Sequence, residues 1–268
     1  MKYICQITTV FLFFFSGIFP ANSKSYTQDV RGKSMGNTGI ASGTLDNPSA
    51  ISFADRPFVI FGYENRFNIS ELAEYSAGFA FPNTVLDGST SLYRFGYEHY
   101  SENFLHVACS KKLFSRFSMG VSLNYFFVQT SEEADNQWKL TADIGLLWKI
   151  RDDLTCGVGL SNFLLTKSNA SYPFQRKFRI GFSYFIAPTF ELCLEYDKMD
   201  KESPFYKIGA DYQIIENLFL RTGFFGKPFI PTAGLGYRMK KWRFDLAADN
   251  HPYLGLSTSI GFIYFLER

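Results

Sequence analysis

The sequence predicts an all-β protein, specifically a transmembrane antiparallel β-barrel of about 14 strands with an N-terminal hatch or plug segment. Three observations predict this fold class: alternation of apolar and polar residues, charges confined to one parity, and tight links that alternate with longer ones. From Met119 to Phe127 every second residue is large and apolar, and among the residues between them only Phe126 is neither small nor polar. A two-residue period is the signature of a β-strand, and it recurs in about a dozen segments.

Residues 1–23 have the pattern of a secretory signal peptide. Lys2 supplies the positive charge, Ile7 to Phe19 the apolar core, and Ala21 and Ser23 the small residues of a cleavage site. A membrane-anchoring helix is the alternative, but polar residues and Pro20 leave a run shorter than the ~20 apolar residues that such a helix needs. We therefore expect residues 24–56 to form a hatch segment and residues 57–268 to form the barrel.

Composition favours the same class. Aromatic residues make up 19% of the chain, with 31 Phe and 16 Tyr, although the hydrophobic fraction is only 46%. Outer-membrane barrels combine aromatic girdles with apolar residues on alternate positions only. A formal charge of +2 argues against a nucleic-acid partner, since phosphate neutralisation normally needs a clustered basic face. One of the four cysteines lies in the predicted signal peptide, and the others give no disulfide or metal spacing, so no cofactor is expected.

The alternation divides the chain into strands whose lengths lie near the ~9 to 11 residues that a tilted strand needs to cross hydrocarbon. The predicted strands are Phe58–Phe67, Tyr75–Phe81, Ser91–His99, Phe104–Lys111, Phe117–Gln129, Trp138–Lys149, Leu154–Phe163, Lys177–Ile186, Phe190–Asp197, Phe205–Gln213, Leu218–Phe225, Thr232–Met239, Trp242–Asp249 and Leu256–Phe265.

The connections alternate in length. Tight links at 151–153, 187–189, 215–217 and 240–241 follow even-numbered strands, whereas longer polar links at 130–137, 164–176 and 198–204 follow odd-numbered ones. Outer-membrane barrels have short periplasmic turns and longer external loops. This asymmetry predicts the outer membrane of a Gram-negative bacterium, with both termini in the periplasm.

Charged residues almost never fall on the apolar parity, and this predicts a polar lumen. Opposed charges on neighbouring strands either pair to fill a narrow barrel or line a path for permeation. A soluble β-sandwich also alternates, but the signal peptide, the hairpin connections and aromatic residues at strand ends favour the barrel. The predicted polar lining consists of Lys139, Asp143, Arg179, Glu191, Glu195, Lys207, Asp211, Arg221, Arg238 and Asp245.

Residues 24–56 lack the alternation and are rich in Gly, Ser, Asn and Ala. They form either a flexible tail or a hatch folded into the lumen, because small residues allow close backbone approach. The run from Met35 to Ala41 and then Asn47 to Ala50 resembles the N-terminal hatch region of the fatty-acid-transporter-like (FadL-like) outer-membrane barrels, above all the PorV and PorQ type of Bacteroidota. The matching hatch-motif residues are Met35, Gly36, Gly39, Asn47 and Pro48.

That resemblance implies a fourteen-stranded barrel with a plug. It also leaves two hypotheses about function. The first is a passive channel or binding protein for a small hydrophobic ligand, with outer-membrane lipid around it. The second is a scaffold or accessory component of an envelope or type IX-like secretion complex, with secretion-apparatus proteins as partners. His99, His106 and His251 lack a Gly-x-Ser-x-Gly or His-Glu-x-x-His motif, so the protein is predicted not to be an enzyme; a lipid-facing phospholipase is the alternative.

Overall fold

The computed structural model describes residues 29–42, 45–130, 137–165 and 174–267. The predicted signal peptide lies outside the described residues, as do parts of the 24–56 segment and of the two longest predicted links. Among the described residues, no helix is both long and apolar enough to span a membrane.

The described chain forms a closed barrel of fourteen antiparallel strands. Every strand pairs with its neighbours in the chain, and β1 closes the ring by pairing with β14. This confirms the predicted closed antiparallel β-barrel and its number of strands. The strands are β1 Phe58–Asn65, β2 Ala73–Phe81, β3 Asp87–Tyr97, β4 Tyr100–Phe114, β5 Phe117–Thr130, β6 Gln137–Lys149, β7 Leu154–Leu165, β8 Lys177–Ala187, β9 Phe190–Met199, β10 Phe205–Ile215, β11 Leu218–Phe225, β12 Ile230–Met239, β13 Trp242–His251 and β14 Gly255–Phe265.

Short helical turns precede the barrel and follow its first strand. Helix α1, Val30–Ser34, begins after Asp29, whose carboxylate accepts a hydrogen bond from the Arg31 amide at 3.0 Å. Three 3₁₀ turns cover Pro48–Phe53, Arg66–Asn68 and Ser70–Leu72. A side-chain acceptor at the residue before a helix satisfies an amide that has no partner within the helix.

Alternation sorts the side chains between two faces of the barrel wall. On β5, Met119, Val121, Leu123 and Tyr125 are exposed on the outer face, while the small and polar residues between them are buried. Phe126, which interrupts the pattern, faces inward and is only 1% exposed because its ring packs edge-on against Phe174 at 5.1 Å. The interruption is therefore an apolar contact inside the barrel and not the end of the strand.

The two ends of the barrel differ. Pairing of Phe58 with Phe265 places the start of β1 and the end of β14 at the same end as the tight turns 216–217 and 240–241. We call this the tight-turn end and the opposite one the long-loop end. Outward aromatic residues lie near both ends. At the tight-turn end the ring centroid of Trp242 lies 4.2 Å from that of Tyr264, and near the long-loop end the centroid of Tyr196 lies 5.4 Å from that of Tyr206.

Candidate functional site

The described part of the 24–56 segment, residues 29–42 and 45–56, runs along the inner face of the barrel; we call it the N-terminal segment. It contacts the wall where inward-facing residues are glycines. A Cβ built on any of these glycines would lie 2.0–2.8 Å from an atom of the segment, closer than real contacts allow. The absence of side chains thus lets the segment approach the strands. These glycines are Gly120, Gly145, Gly157, Gly159, Gly181, Gly209, Gly223, Gly234 and Gly261.

The first half of the predicted hatch motif is held by strands β9 to β12. Met35 is fully buried, and the Gly36 amide donates to Thr232 Oγ1 at 2.9 Å. Gly36 has φ +65°, and a Cβ there would lie 2.4 Å from the Ile208 carbonyl oxygen. The Gly39 amide donates to Glu195 Oε2 at 2.9 Å. Only glycine fits position 36, for reasons of both conformation and space.

The second half of the motif is held by β5 and β6. Asn47 is fully buried, and its Nδ2 donates to the carbonyl oxygens of Ile40 at 2.8 Å and Leu146 at 3.1 Å. Its Oδ1 accepts from Ser49, and Pro48 occupies the first turn of the 3₁₀ helix that follows. One amide therefore joins two parts of the segment to the wall.

Three charged residues at the start of the segment pair with acids and bases of the wall. Asp29 pairs with Arg243, and Lys33 pairs with Glu64 and lies 3.9 Å from a Glu74 oxygen. Arg31 pairs with Glu191, and its Nε donates to Asp211 Oδ2 at 3.0 Å. These eight groups, three on the segment and five on the wall, place the N-terminal segment by charge as well as by shape.

The electrostatics of Asp29 and Arg31 follow from these pairs. Burial alone raises the pKa of the Asp29 carboxyl, but the charges of Arg243 and Arg31 outweigh it and hold the pKa below its usual value. Burial alone lowers the pKa of Arg31, and Glu191 and Asp211 outweigh it and raise the pKa. Both groups are therefore charged at neutral pH.

Seven of the predicted lining residues are buried in two networks of ion pairs on the inner face. In the first, Lys207 lies 3.0 Å from both Glu195 and Asp197, and Arg179 donates to the Asp46 carbonyl oxygen at 2.7 Å. The second is a chain that links Glu191, Arg31, Asp211, Arg221 and Asp245, with Arg221 3.0 Å from Asp211 and 2.6 Å from Asp245. Removing one partner of a buried pair typically costs 3–5 kcal/mol, so these networks resist rearrangement.

The remaining three predicted lining residues lie outside these two networks. Lys139 lies over the Phe174 ring at 4.9 Å, and Asp143 accepts a hydrogen bond from the Asn162 amide at 2.7 Å. Arg238 is exposed near the tight-turn end, 5.4 Å from the centroid of Phe219. It lines a cavity of about 490 Å³ at that end, together with groups of both signs such as Lys149 and Glu216.

A larger cavity of about 770 Å³ lies on the outer face, across β14 and β1 to β5. We call it the wall cavity. Ala77 lies opposite Phe61 on one side and Leu92 on the other, so a methyl group occupies the position between two large exposed side chains. The cavity is apolar and lies within the ~300–1,000 Å³ typical of ligand cavities. Its lining includes Phe61, Ala77, Leu92, Leu105, Tyr125 and Phe262.

The barrel wall is thin behind the wall cavity. Gly62 and Ser76 face inward and lie opposite each other, yet both border the wall cavity as well as a small internal space next to Lys33 and Val30. Because neither residue carries a large side chain, the backbone of β1 and β2 is the main barrier between the two spaces.

Sequence reasoning missed three features of this site. Composition alone places Asp29, Arg31 and Lys33 in a segment of small residues, although a charged residue at every second position from 29 to 33 is visible in the sequence. Ala77 and Arg94 were also missed as markers of the outer face. Arg94 departs from the charge parity because it faces outward, opposite Tyr75 and Asn103. A charged residue on the apolar parity of β3 was the signal in the sequence that could have marked this part of the outer face.

No protein-family model matches the chain, and no curated protein matches it in sequence. Solved structures do match its fold. The Pseudomonas putida toluene transporter TodX aligns with a TM-score of 0.68 at 10% identity, over 91% of this chain and 100% of that one. A Pseudomonas aeruginosa FadL homologue aligns with a TM-score of 0.63 at 11% identity, over 90% of this chain and 99% of that one.

An Acinetobacter baumannii outer-membrane protein, Omp33, aligns with a TM-score of 0.50 at 10% identity, over 79% of this chain and 98% of that one. At such identities a likeness concerns the fold. The chain thus has the closed fourteen-stranded barrel fold that it shares with TodX and the FadL homologue.

Proposed function

We propose that the protein is an outer-membrane β-barrel that binds a small hydrophobic molecule and passes it passively, in the manner of FadL-like channels. Both termini lie in the periplasm in this proposal, and no catalysis takes place. The fold that this chain shares with a toluene transporter supports a small hydrophobic molecule as the ligand. Exposed outward aromatic residues near strand ends, such as Trp148 at 51% and Tyr206 at 65%, support a membrane location, since aromatic girdles lie at the membrane interfaces.

The wall cavity is the observation that carries this proposal. Because the cavity faces the hydrocarbon of the bilayer, a hydrophobic molecule that enters it keeps apolar surroundings and is held by close packing against the lining. The described inner face is polar by comparison, because it carries the N-terminal segment and ion pairs such as Arg221 with Asp211. A hydrophobic ligand therefore fits the wall beside Gly62 and Ser76 better than the centre of the barrel.

In this proposal the N-terminal segment acts as the hatch. Its contacts with nine inward-facing glycines and with Glu191, Asp211 and Arg243 fill the lumen with protein. Water-soluble molecules are then excluded, while a hydrophobic molecule in the wall cavity is separated from the interior mainly by β1 and β2. The segment thus contributes selectivity against polar solutes.

Passage of toluene into vesicles tests the proposal. Wild-type protein in phospholipid vesicles should speed the entry of toluene relative to protein-free vesicles. Ala77→Phe fills the centre of the wall cavity and should slow that entry. Ala233→Phe is the matched control, because Ala233 is exposed on the outer face of β12, away from the cavity. Equal entry with Ala77→Phe and with wild type, or no effect of wild type itself, would refute the proposal.

One observation favours a second candidate, a scaffold or accessory component of an envelope or secretion complex. The described inner face is filled by the N-terminal segment and by buried ion pairs, as a barrel without a transport task would allow. Photo-crosslinking from the exposed ends in living cells tests this candidate. Residue Tyr253, 84% exposed, reports on the long-loop end, and Phe114, 73% exposed, reports on the tight-turn end. Two results together would favour the scaffold. These are a defined crosslinked product with secretion-apparatus proteins from one end of the barrel only, and no passage of toluene.

A further inference from the structure

Arg94 is a cation on the outer face of the barrel. It lies on β3, three residues before the strand ends at Tyr97 at the long-loop end, and its side chain is exposed. Within the described part of the chain its guanidinium has no ion pair, hydrogen bond or ring contact. A lipid-facing arginine costs ~2–4 kcal/mol at the middle of a bilayer but only ~0–1 kcal/mol near its surface. Arg94 therefore suits the level of the lipid head groups.

Polar groups flank Arg94, and the wall cavity begins beside it. Asn103 lies directly opposite on β4 and Tyr75 directly opposite on β2, and both side chains face outward. Two residues further along the same face of β3, Leu92 is 60% exposed and lines the cavity. The cavity is thus apolar over its floor and carries a cation and hydrogen-bonding groups at its long-loop edge.

This arrangement fits an amphiphile. Guanidinium groups bind phosphate through two parallel hydrogen bonds, which gives orientation as well as attraction. An acyl chain that follows the barrel wall downward from the head group would enter the depression over Ala77. Membrane lipids carry both parts and surround a barrel at high concentration.

We propose that the wall cavity and Arg94 form a binding site for a membrane lipid with a phosphate head group, whose phosphate lies on Arg94 and whose acyl chain fills the cavity. The inference rests on the proposed membrane location, and it goes beyond the proposed transport function. The lipid is the resting occupant of the cavity, so a hydrophobic ligand enters by displacing its chain and not by filling an empty space.

Native mass spectrometry of protein taken from nanodiscs of phosphatidylglycerol tests the site. Wild-type protein should retain one lipid through detergent exchange. Arg94→Gln should lower that retention at least fivefold, and Ala77→Phe should lower it by removing room for the chain. The matched control is Lys111→Gln, since Lys111 is also an exposed, outward-facing cation on the neighbouring strand but lies towards the tight-turn end. Galactosyl diacylglycerol has no phosphate. Protein taken from nanodiscs of this lipid should retain the same amount of lipid in the wild type and in Arg94→Gln.

The outcomes separate this inference from the proposed function. Retention unchanged by Arg94→Gln, or lowered equally by Lys111→Gln, overturns the lipid site. Retention of an Arg94-dependent lipid by a protein that does not pass toluene supports the site and refutes transport. Toluene passage should persist in Arg94→Gln, because a neutral aromatic molecule needs the cavity but not the cation.

Discussion

Arg31 and Asp211 are 180 residues apart in sequence, and their side chains meet inside the barrel, with Arg31 Nε donating to Asp211 Oδ2 at 3.0 Å. The same guanidinium pairs with Glu191 on the next strand. Since Arg31 belongs to helix α1 and the two acids belong to β9 and β10, this one side chain fastens the N-terminal segment to the wall. The strength of that attachment decides whether the segment is fixed or can move.

Arg31→Ala is expected to loosen the N-terminal segment and destabilise the protein. The substitution leaves Glu191 and Asp211 buried with one cation fewer, and breaking a buried pair from one side typically costs about 3–5 kcal/mol. Thermal unfolding in detergent and limited proteolysis of the segment measure the effect. Arg116→Ala is the control, because Arg116 pairs with Asp152 at 2.9 Å at an exposed turn, where such pairs are worth ~0–1 kcal/mol. Equal effects of the two substitutions would contradict the attachment.

Gly36→Ala is expected to displace the segment from β10 and β11. The new methyl group would lie 2.4 Å from the Ile208 carbonyl oxygen, and the residue would keep a positive φ that disfavours alanine by about 1–2 kcal/mol. Gly255→Ala isolates the cost of the positive φ, because Gly255 has φ +90° but no atom lies within 4 Å of an added Cβ. The melting temperature should fall further for Gly36→Ala than for Gly255→Ala. A similar fall for both would mean that close packing at Gly36 contributes nothing.

Attachment of the segment should weaken at acid pH. Arg243 and Arg31 hold the folded pKa of Asp29 below its unfolded value of roughly 4. A carboxyl with a lowered folded pKa adds stability that is present above the unfolded pKa and is lost as the pH falls through the folded one. Proteolysis of the segment by an acid-active protease should therefore increase below about pH 4 in the wild type. In Asp29→Asn, which cannot carry the charge, the rate of proteolysis should change less with pH over that interval. A pH profile identical to that of the wild type would exclude Asp29 as a source of the pH dependence.

Alternation predicted the strands well because burial on one face is a local property of each side chain. Its errors lie at strand ends. The alternation predicts Phe104–Lys111 for the fourth strand, but β4 runs from Tyr100 to Phe114, since polar residues such as Ser101 and Asn103 continue the ladder of backbone hydrogen bonds. Strand pairing needs backbone groups and not apolar side chains, so the pattern underestimates the length of the hairpin.

The candidate site was less accessible to sequence reasoning. Parity placed Asp211 and Arg221 on one face, but the pairing of Asp211 with Arg31 depends on where a segment without strand periodicity lies. The depression at Ala77 depends on which residues of three strands become neighbours, and these follow from register. Register between distant strands is a property of the closed barrel, and a pattern within one strand does not contain it.

Cys193 offers a direct measurement of segment movement. It faces inward on β9, is 3% exposed, and lies opposite Gly209, which packs against Met35 of the segment. In a variant whose other cysteines are replaced by alanine, a water-soluble maleimide should therefore label Cys193 slowly. Gly36→Ala should raise the labelling rate at least tenfold if the segment leaves the wall, whereas Gly255→Ala should not. If the segment leaves the wall spontaneously, Cys193 should instead be labelled quickly even when Gly36 is unchanged. Such a result would mean that the glycine contacts and the Arg31 pairs do not hold the segment in place.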